Sequence, residues 1–227
     1  MFDQDKIQTD LDLEGYSIVP KLLVDDDCDA LMRGYSNTSQ FRKRIVMAQH
    51  NFGQGEYQYF DYPLPSVVQG LRAQCYTVLH PIANHWHRTM GLEGEFPASH
   101  SDYLKRCRGA GQTRATPLIL KYGKDDYNCL HQDLYGEHVF PLQLAVLLSA
   151  PREDFEGGEL VLTEQRPRMQ SRPLVIPLSK GDGVVFPVRY RPKQGARGTY
   201  RVNMRHGVSR IANGERYVLG VIFHDAT

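Results

Sequence analysis

Hydrophobic and polar positions follow two different periods along the chain. Up to Gly91 they read as a short extended segment followed by helices. Gly15-Tyr16-Ser17-Ile18-Val19-Pro20 suits a strand, and Val24 to Tyr35 suits a helix whose acidic first turn, Asp25 to Asp27, complements the helix dipole. Val67, Leu71, Cys75, Val78, Leu79, Ile82 and Trp86 then recur at spacings of three and four, which predicts a longer helix with one apolar face. Ser66-Val67-Val68-Gln69 has the form of a capping box at its start, and Gly91 stands where it should end.

Near Ala115 the pattern changes to strands. Ala115 to Tyr122, His138 to Leu148, Glu159 to Leu162, Leu174 to Ile176, Gly183 to Val188, Arg201 to His206 and Arg216 to His224 are short, β-rich runs separated by Gly, Pro and Asp. Asp154 to Glu159 and Lys180 to Gly183 read as turns between them. No helical run separates the strands, so a parallel α/β sheet is disfavoured and an antiparallel barrel decorated by N-terminal helices is expected. The fold class expected is mainly β, with residues 1–114 as a helical/β support region packed on a core at residues 115–227, all within one compact domain.

Composition narrows this picture only slightly. The chain has no basic-then-apolar leader and no apolar run long enough to span a bilayer, so a soluble protein without a membrane partner is expected. Cys28, Cys75, Cys107 and Cys129 are scattered with no C-x-x-C pair, which suits a cytoplasmic setting better than a disulfide framework. Net charge is +1 but unevenly spread: twelve Lys/Arg against four Asp/Glu lie from Leu160 onward, and fifteen against twenty-two lie before it. Arg166, Arg168, Arg172, Arg189, Arg191, Arg197, Arg201, Arg205 and Arg210 would form a basic surface unless paired with the acidic part of the chain. Near-neutral overall charge and the lack of a recognisable binding module do not favour nucleic acid as a partner.

The candidate chemistry is concentrated in His131-Gln132-Asp133, His206 and Arg216. In a strand, alternate residues face the same side, so His131 and Asp133 would project into the barrel together and a distant strand would supply His206. Two neutral imidazoles and one carboxylate on one face of a metal leave open positions, the arrangement of non-haem Fe(II) oxygenases. Arg216 opens an apolar run, Arg216 to Phe223, where its charge needs an anion. A second H-x-D, His100-Ser101-Asp102, sits at a helix start, where these positions do not face each other, and reads as a cap with a surface histidine. His80, His85 and His87 have no acidic partner and read as packed or solvated.

These motifs resemble those of the Fe(II)/2-oxoglutarate-dependent dioxygenases of the prolyl-hydroxylase and AlkB types, over Thr116 to Asp225. Lys121-Tyr122-Gly123, Leu130-His131-Gln132-Asp133, the Gly157-Gly158-Glu159 turn, and His206-Gly207-Val208 with Arg216 carry the likeness. A closer likeness, through His131 to Gly136, Glu164 to Arg172 and Arg205 to Ser209, is to an uncharacterised bacterial group of the same superfamily. The resemblance implies a double-stranded β-helix (jelly-roll, cupin-like) core. It also implies Fe(II) on His131, Asp133 and His206, 2-oxoglutarate held by Arg216 and Tyr122, and O2 as oxidant, with hydroxylation or oxidative dealkylation as the outcome. Where several prolyl hydroxylases have a tyrosine on the distal carboxylate this chain has Leu147, and Gln143 is the alternative donor if it faces inward on its apolar strand, an outward Gln143 being the other reading. Small molecules, peptides and modified nucleotides all remain open as substrates. The competing reading is a differently metallated or non-catalytic cupin-like barrel that binds an anionic ligand or nucleic acid.

Overall fold

The computed structural model describes residues 2–196 and 198–227. Among them, four α-helices and fifteen strands form. In chain order they are α1 (Gln4–Leu13), β1 (Ser17–Val19), α2 (Asp25–Gly34), β2 (Phe41–Val46), β3 (Gly53–Gln54), β4 (Glu56–Phe60), α3 (Ser66–Thr89) and α4 (His100–Gly109). The remainder is β: β5 (Leu118–Tyr122), β6 (Tyr127–His131), β7 (Leu142–Leu147), β8 (Phe155–Gly157), β9 (Leu160–Gln165), β10 (Arg172–Ile176), β11 (Gly183–Pro187), β12 (Tyr190–Gly195), β13 (Gly198–Val208), β14 (Ile211–Gly214) and β15 (Arg216–Val221).

A seven-stranded sheet runs β1-β11-β7-β15-β5-β4-β2, and a smaller sheet runs β10-β9-β13-β6-β3 with β12 paired to β13. Both are antiparallel, and together they make the double-stranded β-helix. Alternation along β7 decides what faces where. Leu142, Leu144 and Val146 join the large core beneath the helices, which includes Leu79, Ile82 and Trp86 of α3, whereas Ala145 and Leu147 join clusters between the sheets. Gln143 shares that inner face and is 4 % exposed.

Two buried arginines fasten the helices to the β core. Arg72 of α3 donates to the Ile222 carbonyl at 2.8 Å, to the Tyr62 hydroxyl at 2.8 Å and to Asp225 at 2.9 Å, so a fully buried cation is both neutralised and hydrogen-bonded. Arg191 of β12 pairs with Glu164 and donates to the Asp12 carbonyl at 3.1 Å, capping an orphan acceptor at the end of α1. The Trp86 indole holds the Asp12 side chain at 3.1 Å.

The structure departs from several expectations. β2, β3 and β4 lie in the region read as helical; β2 is a polar sheet-edge strand, Phe-Arg-Lys-Arg-Ile-Val, with no clean alternation to mark it. Ser66 does not cap α3, because Pro65 occupies the N-cap and Ser66 is already helical. The expected turn at Asp154 to Glu159 contains β8, paired with β14. His100 is buried at 6 % exposure, its Nε2 2.8 Å from the Phe223 carbonyl, because α4 packs against the end of the large sheet. No helix among the described residues is long and apolar enough to cross a membrane.

Burial lowers the His100 pKa to about 4 and that of His224 to about 3, both below the ordinary 6.5. Below pH 6.5 the unfolded chain therefore binds protons that the folded one refuses. Their contribution to stability is complete above pH 6.5 and is lost as the pH falls towards 4 and 3. Urea unfolding at a series of pH values should show this decline, and His100→Gln should flatten it.

Candidate metal centre

The pairing of β6 with β13 assembles the site. His131 and His206 are register partners, and their ring centroids lie 4.1 Å apart. Two residues further on, Val208 pairs with Asn128, so three residues of β6 span two of β13 and the ladder carries a bulge. The bulge resets the alternation, and both Asn128 and His131 line the cavity between the sheets. Gly207 fits because a Cβ there would lie 2.6 Å from the Asn128 carbonyl oxygen.

Asp133 follows the end of β6, with Oδ2 3.2 Å from His206 Nε2 and Oδ1 3.6 Å from His131 Nε2. One donor atom from each of the three residues falls within a cluster 4.8 Å across. His131 Nδ1 is 2.8 Å from the Cys129 carbonyl, which only accepts, so the proton sits on Nδ1 and the Nε2 lone pair faces the cluster. The Tyr135 hydroxyl donates to Asp133 Oδ1 at 2.8 Å. Burial pushes the Asp133 carboxyl up, but His206, His131 and Tyr135 more than reverse this and hold it well below the usual carboxylate range. Burial, with His206 beside it, lowers the His131 pKa. A carboxylate and unprotonated imidazole are the ligand forms that a divalent cation needs, so this donor set fits Fe(II).

Arg216 begins β15 opposite Tyr122. It is 2 % exposed, and its Nε and Nη1 have no hydrogen-bond partner. Its guanidinium carbon lies 5.8 Å from the Tyr122 ring and 5.7 Å from the Phe155 ring, and burial lowers its pKa to about 10. Gly158 makes room behind it, since a Cβ there would stand 3.1 Å from Arg216 Cδ and collide with Ile211. Tyr122 is fully buried, and its hydroxyl accepts from Asn128 at 3.3 Å. Leu147 packs with Tyr122 and Val218 in an apolar cluster and offers Arg216 no polar partner.

All six candidate residues, His131, Asp133, His206, Arg216, Tyr122 and Gln143, line one cavity of about 340 Å³. Asn128 and Tyr135 escaped the sequence reading: the bulge hides the first, and the second was visible only as part of the His131-to-Gly136 motif. The basic segment is partly neutralised, with Arg166 and Arg191 on Glu164, Arg210 on Asp125 and Arg201 donating to the Met90 carbonyl. Arg168, Arg172, Arg189 and Arg205 are exposed, and Arg197 lies outside the described residues.

Two solved oxygenase structures share this fold. The chain is similar to a Pseudomonas putida prolyl-4-hydroxylase (TM-score 0.59, 14 % identity, 99 % of this chain and 100 % of that one). It is also similar to a 2OG-Fe(II) oxygenase family oxidoreductase of Burkholderia pseudomallei (TM-score 0.52, 16 % identity, 100 % and 94 % covered). The fold is thus one that a 2OG-Fe(II) oxygenase has. More narrowly, residues 55–226 match the model of a family described as an oxygenase catalysing oxidative methylation of damaged DNA, and the chain belongs to that family. An uncharacterised Mycobacterium tuberculosis protein, strain H37Rv, is 51 % identical over 167 residues, 74 % of this chain and 72 % of its own.

A buried donor without a partner costs about 1–3 kcal/mol. Arg216→Met should therefore stabilise the metal-free, ligand-free protein, read as a higher urea midpoint with an unchanged slope.

Proposed function

We propose that the protein is an Fe(II)- and 2-oxoglutarate-dependent dioxygenase that hydroxylates, or oxidatively dealkylates, an unactivated C–H bond with release of succinate and CO2. His131, Asp133 and His206 hold the iron, and Arg216 holds the distal carboxylate of 2-oxoglutarate. Bound iron supplies the activation of O2 coupled to decarboxylation of the co-substrate. The observation that carries the reading is the orphaned Arg216 guanidinium in the wall of the cavity that also holds the triad. A zinc or structural site gives that buried cation nothing to bind, whereas a dicarboxylate supplies a charge-assisted, two-pronged acceptor.

The remaining residues bind, orient and exclude water. Tyr122 packs beside Arg216 and is fixed by Asn128, so it fits a contact to the co-substrate. Tyr135 steadies the Asp133 carboxylate. Leu120, Leu160, Leu178, Phe186, Val208 and Val218 line the cavity with apolar surface, which strengthens the electrostatics inside and keeps water from the reacting carbon.

For the substrate, the family description points to damaged DNA, and one feature of the mouth favours a flat group such as a base. Exposed Phe52 lines the cavity and stacks on His50, ring centroids 5.4 Å apart and planes 23° apart. A planar base packs against such a face. Succinate yields with an alkylated single-stranded oligonucleotide, a proline-containing peptide and free amino acids compare the substrate classes. The first should give the largest coupled yield, and Phe52→Ala should lower it.

Anaerobic addition of 2-oxoglutarate to the Fe(II)-loaded protein should give a weak visible charge-transfer band. His131→Ala should abolish the band. Arg216→Ala should raise the 2-oxoglutarate concentration required by about 10- to 100-fold, the weight of a charged hydrogen bond of about 1.5–3 kcal/mol. A wild-type protein with no band and no succinate in air would refute the proposal.

A further inference from the structure

Gln143 occupies an unusual position for a polar residue. It lies within β7 between Leu142 and Leu144, is 4 % exposed, and shares the inner face with Ala145 and Leu147. A buried amide on such a strand needs a partner. Its side-chain nitrogen is 3.5 Å from His206 Nδ1.

Strand register separates Gln143 from the anion site. β15 runs antiparallel to β7, with Val218 opposite Leu147 and Val221 opposite Leu144. Continued along the ladder, this places Gln143 beside Ile222, while Arg216 lies beyond Val218 at the other end of β15. Six residues of strand, about 20 Å at roughly 3.4 Å each, separate the two levels. Gln143 thus stands at the His206 end of the cavity, not beside Arg216.

The imidazole of His206 is confined on four sides. The His131 ring lies 4.1 Å away, the Phe186 ring 5.0 Å away, Asp133 Oδ2 is 3.2 Å from Nε2, and Gln143 meets Nδ1. Phe186 is also the register partner of Gln143, so strand pairing holds both against the same ring. The two nitrogens of a neutral imidazole have opposite roles. Without a metal, Nε2–H donates to Asp133 and Nδ1 accepts from the Gln143 NH2. With a metal on Nε2, the proton must sit on Nδ1, which then needs an acceptor. Glutamine meets both demands, because turning its amide over replaces the nitrogen with the oxygen.

We infer that Gln143 is a positioning residue for His206, donating to Nδ1 in the metal-free protein and accepting from Nδ1–H, after an amide flip, when a divalent metal is bound. This rests on the reading of His206 as a metal ligand, and it removes Gln143 from the distal carboxylate of the co-substrate. Outer partners of ligating histidines change metal affinity by about 10–100-fold when lost.

The test is titration of the metal-free protein with Co(II), read from its visible absorption, followed by 2-oxoglutarate binding to the Co(II) protein. Gln143→Leu should weaken Co(II) about tenfold or more, and Gln143→Glu, which keeps an acceptor, should restore most of that loss. For Gln143→Leu, 2-oxoglutarate affinity at saturating Co(II) should stay within about twofold of wild type, whereas Arg216→Met should lose it. The paramagnetically shifted Nδ1–H proton of His206 should exchange slowly with solvent in wild type and rapidly in Gln143→Leu, a change that loosened packing elsewhere would not produce. Unchanged Co(II) affinity in Gln143→Leu would overturn the inference, as would a tenfold loss of 2-oxoglutarate affinity with metal binding intact. Failure of wild type to bind Co(II), with His131→Ala indistinguishable from it, would instead sink the metal site itself.

Discussion

The bulged pairing of β6 with β13 is the constraint on which the candidate site depends. It sets His131 directly across from His206, turns Asn128 towards Tyr122, and leaves Asp133 free to close the cluster just beyond the ladder. A regular ladder would send Asn128 and His131, three residues apart, to opposite faces. Gly207 is part of the same device, because any side chain there would meet the bulged backbone. The small sheet is thus shaped around three donor atoms and not only around its own packing.

Partnering of buried charge sets Arg216 apart from the two arginines that fasten the fold. Arg72 and Arg191 each have a carboxylate and backbone carbonyls as partners, and they tie α3 and α1 to the β core. Arg216 is buried as deeply, yet no carboxylate among the described residues pairs with it. A cation buried without a partner costs stability until an anion binds it. The proposed co-substrate would supply one and would span the cavity from Arg216 to the triad, which leaves the side towards Phe52 for the substrate.

Much of this was legible in the sequence because strands with a buried inner face announce themselves by punctuation and alternation. The seven runs from Ala115 to His224 all contain strands, and His131, Asp133, His206, Arg216 and Tyr122 line one cavity. What stayed hidden has physical causes. β2 is a charged edge strand and β3 has two residues, so neither carries a readable period. The bulge that places Asn128 is a two-strand property, invisible in either strand alone. Arg72 sits on the apolar face of α3 because its partner Asp225 is supplied from the other end of the chain, and His100 looked like a surface residue until α4 docked against Phe223. Gln143 could face inward or outward on its strand alone, and its neighbour is set by sheet register, which a single strand does not reveal.

Under the proposed function, this cavity couples O2 to a 2-oxo acid at a metal held by the protein's own triad. Mass analysis of the succinate formed under 18O2 tests it directly, using Fe(II)-loaded protein and unlabelled 2-oxoglutarate. Succinate carrying one oxygen atom from O2 is expected from the wild type and none from His206→Ala. Succinate without label, or equal labelled succinate from the variant, would contradict it.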